Sequence, residues 1–227
     1  MLKIEKTVLP SPEQWEIIIE GMRNPMNSWD KMDSYPCGEE CPHVINDTEM
    51  AHDCNDGAFG ICLGANDHKL MMQLAKGGAV HAKYRRMIPV FITINAPFYW
   101  WKEFDTYKVG TVVNSCSTMH KIHDKEFTVD DFSHEHLCKN SMIALIKVIE
   151  TLNLERGNFL VSKDKWAWWQ LIQLLPTSYN QKRTVMLNYE VLVNIYHSRK
   201  NHKLDEWHTF CDWIKTLPYS ELITEEE

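Results

Sequence analysis

Short, strongly patterned apolar stretches alternate along this chain with long polar ones, and the patterned stretches predict its elements. Ile17, Ile18, Ile19 and Met22 follow Ser11-Pro12-Glu13, which predicts a helix over residues 12–23 with Ser11 as its cap and Pro12 in its first turn. Residues 24–66 lack periodicity and are rich in Asn, Asp, Gly, Cys and Pro, so they predict a long irregular segment with one short strand at Gly60 to Leu63. From Asp67 the pattern HKLMMQLAKGG predicts a helix closed by Gly77-Gly78, and Val80 to Arg86 reads as a connector. Pro89 to Asn95 sets Val90, Ile92 and Ile94 against Phe91, Thr93 and Asn95, the alternation of a half-buried strand. Ala96-Pro97 then turns the chain into an aromatic helix with Pro97 in its first turn and Tyr99 to Phe104 as its body. The polar run from Thr111 to His120 predicts the floor of a pocket, because small hydroxyl and thiol groups let a ligand come close.

The second half reads as helical. Asn140 to Leu154 carries Met142, Leu145, Ile146, Ile149 and Leu152 as one buried stripe. Further helices are predicted over Trp166 to Leu175, Met186 to Arg199 and Leu204 to Leu217, the last stopped by Pro218. A strand followed by helices predicts an α+β fold, an antiparallel or mixed central sheet covered by helices with a helical C-terminal half. No Pro/Gly/Ser-rich linker divides the 227 residues, so they read as a single domain, residues 1–66 being its weakly patterned part.

Composition narrows the class. Hydrophobic residues at 44% and aromatics at 11% set the chain apart from disordered sequences. There is no run of 18 apolar residues to span a membrane, and the N-terminus lacks the order of a signal peptide, so a cytoplasmic location is expected. Seven cysteines, an odd number, point to reduced thiols. A net charge of −7 opposes a broad nucleic-acid face, whereas the local cluster Lys83-Tyr84-Arg85-Arg86 suits a phosphate or two. A small anionic ligand is the expected partner.

Cys37, Cys41, His43, His52 and Cys54 invite a zinc reading, but C-x3-C-x-H followed by H-x-C fits no common zinc pattern. Reduced thiols and surface imidazoles are the reading adopted, with a structural zinc as the alternative. His120, His123, His134, His136 and Cys138 stand among acidic residues and read as a solvated turn. No metal is assigned.

The order of strand, Ala96-Pro97, helix, Asn114-Ser115-Cys116-Ser117, and then Leu175-Pro176, Asn188, Asn194 and Arg199 resembles the flavin-dependent thymidylate synthases. The likeness covers residues 67–217, and its specific part is the ungapped spacing of Pro176, Asn188, Asn194 and Arg199. On residues alone, Asn188 and Arg199 are eleven apart, about three helical turns, and share a face with Leu192 and Ile195. An arginine on such a face takes a carboxylate, a phosphate or a pyrimidine edge as partner; otherwise Arg199 is the solvated helix end beside Lys200.

The resemblance implies roles. Asn188 and Asn194 fall on flavin-binding positions, His81 on a flavin-side histidine, and Arg199 on the arginine that holds deoxyuridylate. Ser117 falls on the signature serine beside the nucleotide if one residue is inserted near Val112-Val113, and Cys116 takes that place without the insertion. Asn114 and Ser115 complete the run. The signature's Arg-His-Arg is Thr106, Tyr107 and Lys108 here, so Lys108 alone retains a charge. The glutamate next to the serine is Ser115, the later arginine Met119, the glutamine before the signature Glu103, and the arginine before Leu-Pro Ile172. A charge-assisted hydrogen bond is worth about 1.5–3 kcal/mol, so these losses weaken phosphate binding unless Lys83, Arg85, Arg86, Lys108, Lys121 or Arg183 compensates.

The family uses FAD reduced by NADPH, takes a one-carbon unit from methylenetetrahydrofolate, and converts dUMP to thymidylate in a homotetramer with shared sites. By that likeness the chain is expected to be an enzyme methylating or hydroxymethylating C5 of a dUMP-like pyrimidine nucleotide, with FAD as cofactor and folate as one-carbon donor. Arg199 would bind the nucleotide, Ser117 would stabilise developing charge, and Cys116 offers a thiolate as an alternative. Tyr99, Trp100 and Trp101 point in different directions on a helix, so at most one or two could stack on a ligand, and core or subunit interface is the commoner use of such residues. The competing expectation is a catalytically silent nucleotide- or flavin-binding homologue acting as an interaction protein. A third is a zinc-binding interaction loop from Cys37 to Cys54.

Overall fold

The computed structural model describes residues 1–36 and 60–225 of the chain. The Cys37 to Cys54 cluster therefore lies outside the described residues. In chain order the elements are β1 (Lys3–Val8), α1 (Pro12–Arg23), β2 (Tyr35–Pro36), β3 (Ile61–Cys62), α2 (Ala65–Lys76), β4 (Pro89–Pro97), α3 (Phe98–Phe104), β5 (Val112–Ser115), α4 (Lys139–Ser162), α5 (Lys165–Leu174), β6 (Asn180–Asn188), α6 (Tyr189–Arg199), α7 (Asp205–Ile214) and α8 (Glu221–Thr224). Short 3-10 turns stand at Asn24–Met26, Trp29–Lys31, Lys83–Met87 and Val129–Asp131. The fold is α+β, with a four-stranded antiparallel sheet in the order β1-β4-β6-β5 and a two-stranded ribbon of β2 and β3. Among the described residues no helix is long and apolar enough to cross a membrane.

The chain divides into two compact units, the first formed by residues 1–6, 92–108 and 113–185, the second by 7–91, 109–112 and 186–227. The first holds most of the sheet and its covering helices. In β4 the alternation works as expected: Ile92, Ile94 and Ala96 are buried, and Thr93 meets Thr184 of β6 through a 3.2 Å hydroxyl contact on the opposite face. Pro97 ends β4 and is the cap of α3, one residue ahead of the position expected for it. The first amides of α3 are satisfied by carbonyls: Phe98 N–H donates to Tyr179 O and Tyr99 N–H to Thr177 O, both at 3.1 Å. Ile122, Phe127, Phe132, Leu145, Ile149, Leu152, Leu171 and Tyr179 form the hydrophobic core beneath α4 and α5. The helix expected at Asn140 to Leu154 runs eight residues further, to Ser162. Ile146, expected in its buried stripe, is exposed instead.

The second unit is mostly helical and carries the β2–β3 ribbon. Ser11 caps α1 as its sequence demands, with Gln14 completing a capping box. Trp15 of α1 is fully buried, edge-on to Tyr189 and Tyr219 at 6.4 and 5.9 Å. The helix expected from Met186 is a correction: β6 runs through Asn188, and α6 starts only at Tyr189. The alternation of Gln181, Arg183, Val185 and Leu187 against Lys182 and Thr184 makes this segment a strand.

Asp67, on the first turn of α2, is wholly buried and gathers the unit's polar core. It accepts from Arg23 Nε at the end of α1, from the Asp33 and Ser34 amides at 3.0 and 2.9 Å, and from the Ser34 hydroxyl at 2.6 Å. Burial pushes its carboxyl up, yet the hydrogen bonds from Ser34 and Asp33 and the Arg23 guanidinium outweigh that and hold it below the ordinary aspartate value. A depressed folded value means that this stabilisation is fully present above the ordinary aspartate pKa and is lost as pH falls through the lowered one. Asp67→Asn is expected to cost about 3–5 kcal/mol in urea unfolding at neutral pH, because it strands Arg23; a loss under about 1 kcal/mol would mean that the network is not the anchor it looks.

Candidate functional site

In the first unit the polar run is held as an exposed lip. Asn114 and Ser115 end β5, and Cys116 continues the pairing through its amide, which donates to Lys182 O at 2.9 Å. Gln181, buried in β6, donates its side-chain amide to Cys116 O, also at 2.9 Å. The Ser117 hydroxyl oxygen accepts from the His120 amide at 3.0 Å and closes the turn, leaving its own proton to donate elsewhere. Asn114, Ser115, Cys116 and Ser117 are all exposed. So the backbone is fixed and the reactive side chains face outward.

Behind this lip stands Arg183, a residue the sequence marks only as one of several spare cations. Its guanidinium lies over the buried Trp101 ring at 4.4 Å, while Nη1 donates to Asp105 Oδ1 and Nε to Gln181 Oε1, both at 2.8 Å. Trp101 in turn donates its indole N–H to Gln181 O at 2.9 Å. Burial lowers the guanidinium's pKa and the Asp105 carboxylate opposes it, so Arg183 is a charged group already partnered. It orients Gln181, and through Gln181 the Cys116 carbonyl. The signal was present in the alternation of β6, where Gln181 and Arg183 occupy apolar-phase positions.

Trp100 and Trp101 are fully buried in aromatic contacts with Phe104, so they are core and no platform for a ligand within this unit. Glu103 is half-buried in the last turn of α3, and its carbonyl accepts from Thr106 at 2.7 Å. Thr106, Tyr107 and Lys108, which replace the signature charges, form the turn after that helix, with Lys108 exposed.

The remaining expected residues, His81, Asn188, Asn194 and Arg199, belong to the second unit. Asn188 is not on a helix face: it is the cap of α6, and its Oδ1 accepts from the Val191 amide at 3.1 Å. Gly110, at φ +79°, comes so close that a Cβ there would stand 3.1 Å from Asn188 Nδ2. Asn194 is exposed and donates to Glu190 O at 3.1 Å. Arg199 ends α6 half-buried, with its guanidinium 4.8 Å from the Trp207 ring. Glu190, between the two asparagines, has a buried Oε2 without a hydrogen-bond partner among the described residues.

His81 is exposed at the rim of a cavity of about 280 Å³. Met22, Met26, Leu74, Val80 and Met87 make most of its wall, with Lys83 and the buried Tyr84 beside them. Tyr84 donates to Met71 O at 2.9 Å, and burial pushes its phenol up to about 12. Of the other spare cations, Arg85 is buried, Arg86 donates to Ala79 O and Lys121 pairs with Asp124, which leaves Lys83 and Lys108 as those best placed to meet a new anion. Among the described residues no three His, Cys, Asp or Glu side chains gather where they could hold a metal ion.

No protein-family model and no curated protein matches this chain. Solved structures do. Thymidylate synthase X from Helicobacter pylori, crystallised with FAD and dUMP, is 14% identical, with a TM-score of 0.63 over 100% of this chain and 97% of that one. The UMP/dUMP methylase PolB from Streptomyces cacaoi, bound with 5-Br dUMP, is 12% identical, with a TM-score of 0.57 over 99% of this chain and 94% of that one. The architecture of this chain is that of the flavin-dependent thymidylate synthases.

Proposed function

We propose that this chain binds a pyrimidine nucleotide of the dUMP or UMP kind and methylates its C5 with the help of a flavin. The observation that carries the reading is the shared fold, which runs nearly end to end through a thymidylate synthase and a nucleotide methylase. Beside it stands the local chemistry: an exposed Asn114 to Ser117 run whose backbone is fixed by Gln181 and Arg183.

The donor chemistry fits a flavin nucleotide gripped mostly by neutral groups. In the second unit the exposed Asn194 amide, the Nδ2 of Asn188 and the His81 imidazole suit the ring and its ribityl chain, and in the first unit Lys108 is an exposed cation for a phosphate. When bound, the flavin supplies the hydride. The protein's part is to place and polarise the pyrimidine. Arg199, whose planar guanidinium Trp207 helps to hold, would bind the nucleotide, and the Ser117 hydroxyl would donate to a ring oxygen as negative charge develops there. Cys116 lies in the same exposed turn, where a thiolate could add to the ring. NADPH as reductant, methylenetetrahydrofolate as one-carbon donor and a cytoplasmic homotetramer complete the proposal.

One observation favours a second reading. The signature arginines are absent, and Arg183, a possible replacement, is already engaged by Asp105. A catalytically silent nucleotide-binding homologue would tolerate both.

Titration of the purified chain with FAD is expected to give flavin absorbance near about 450 nm that responds to dUMP or UMP. Tritium release from C5 is then expected on adding reductant and folate; binding without release would favour the silent homologue, and no binding of either ligand would sink both readings. Arg199→Ala is expected to weaken nucleotide binding about 10- to 100-fold, the worth of a lost charge-assisted hydrogen bond. Asn188 separates cap from cofactor contact: Asn188→Ser keeps the cap, so the melting temperature should hold while flavin affinity falls, whereas Asn188→Ala should also cost about 1 kcal/mol of stability. Unchanged flavin affinity in Asn188→Ser would reduce Asn188 to a cap.

A further inference from the structure

The cavity of about 280 Å³ lies wholly within the second unit. The end of α1 and the turn after it supply Gly21, Met22 and Met26, α2 supplies Leu74, and the segment leading to β4 supplies Val80 and Met87. Met26, Val80 and Met87 are 56%, 72% and 43% exposed, so three large apolar side chains line one opening and face water. Apolar surface gathered around a concavity marks a ligand site, whereas the same residues scattered singly would mean nothing. Gly21 adds a second sign. It lies inside α1, where glycine is the costliest residue after proline, and a Cβ on it would stand 3.1 Å from the Met87 methyl and 3.4 Å from its sulfur. Because Gly21 itself lines the hollow, its missing side chain is space that the cavity keeps.

The chemistry of the wall selects a guest. Thioether sulfurs make favourable contacts with aromatic rings, and flexible methionines adapt to a flat molecule. A cavity of about 150 Å³ holds benzene, so one of about 280 Å³ admits two fused rings. Lys83 belongs to the same wall, and its ammonium has no hydrogen bond or ion pair among the described residues, whereas the Tyr84 hydroxyl beside it is already given to Met71 O. A cation without a partner beside an apolar hollow calls for an anionic group on the guest, and it repels the soft metal cations that thioethers would otherwise hold. We propose that this cavity binds a small aromatic carboxylate, its one or two fused rings lying among Met22, Met26 and Met87 and its carboxylate meeting Lys83. This site does not depend on the nucleotide reading.

Nuclear magnetic resonance of the full chain, with its methionine methyls isotopically labelled, tests it. The probes are 2-naphthoate and its uncharged counterpart 2-naphthalenemethanol. Saturable ring-current shifts are expected at the Met22, Met26 and Met87 methyls, while Met119 and Met142 of the first unit stay unmoved. Lys83→Glu is expected to weaken the acid at least about tenfold and the alcohol less than about twofold. Leu74→Trp, which fills the hollow, is expected to abolish binding of both, with circular dichroism confirming that the fold is kept. The absence of a saturable shift in the parent, equal weakening of acid and alcohol by Lys83→Glu, or binding that survives Leu74→Trp unchanged would each overturn the site. Because His81 at the rim is also offered to flavin, FAD is titrated in last: 2-naphthoate that stays bound upholds a separate site, and its displacement would assign the cavity to the cofactor and overturn the proposal.

Discussion

A buried carboxylate survives only where enough donors converge on it, and in the second unit Asp67 is where they converge. It draws on Arg23 from the end of α1 and on Asp33 and Ser34 from the segment before β2, while sitting itself at the head of α2. Three stretches of chain with little apolar pattern between them are thereby held to one point. Without that convergence the desolvation cost of the ion would exceed any gain from burying it. Asp33 returns the arrangement, accepting the Asn66 and Asp67 amides at 2.9 and 3.0 Å at the start of α2. Polar geometry here does what a hydrophobic stripe does elsewhere.

The first unit uses the same device on a smaller scale. Asp105, Arg183, Gln181 and the Cys116 carbonyl form one hydrogen-bonded chain against the face of Trp101. Its outcome is a lip whose main chain is hydrogen-bonded at Cys116 and whose hydroxyl and thiol remain exposed. Under the proposed reading, such an edge would present preorganised donors while a cofactor carried the hard chemistry.

Much of this fold was legible in the sequence because its signals are local. Ser11-Pro12, the phase of Val90, Ile92 and Ile94, and Gly77-Gly78 each fix an element through a few neighbouring residues. β6 was hidden because its first half, Gln181 to Thr184, is polar, and because its apolar end runs straight into the apolar body of α6. Asn188, read as a helix-face residue, marks the boundary between the two as a cap. The end of α4 was missed for another reason. Arg156 and Phe159 hold its last turns through His123, by a 2.9 Å bond to the His123 carbonyl and a ring contact at 4.8 Å, partners more than thirty residues away. For the candidate site the sequence offers only residue types in order, and the hydrogen bonds that join them are not visible there. That Arg183 is bound to Asp105, and not free to replace the missing arginines, depends on a contact across 78 residues.

Arg183 also limits how this protein can diverge. It stacks on an indole, donates from Nε to Gln181 and from Nη1 to Asp105, and only a planar fork does all three at once. Lysine would keep the charge and lose the stack and one bond, while a neutral residue would leave Asp105 and Gln181 unsatisfied together. Positions 101, 105, 181 and 183 are therefore expected to drift through a lineage as one character, even while the exposed residues in front of them change with the ligand.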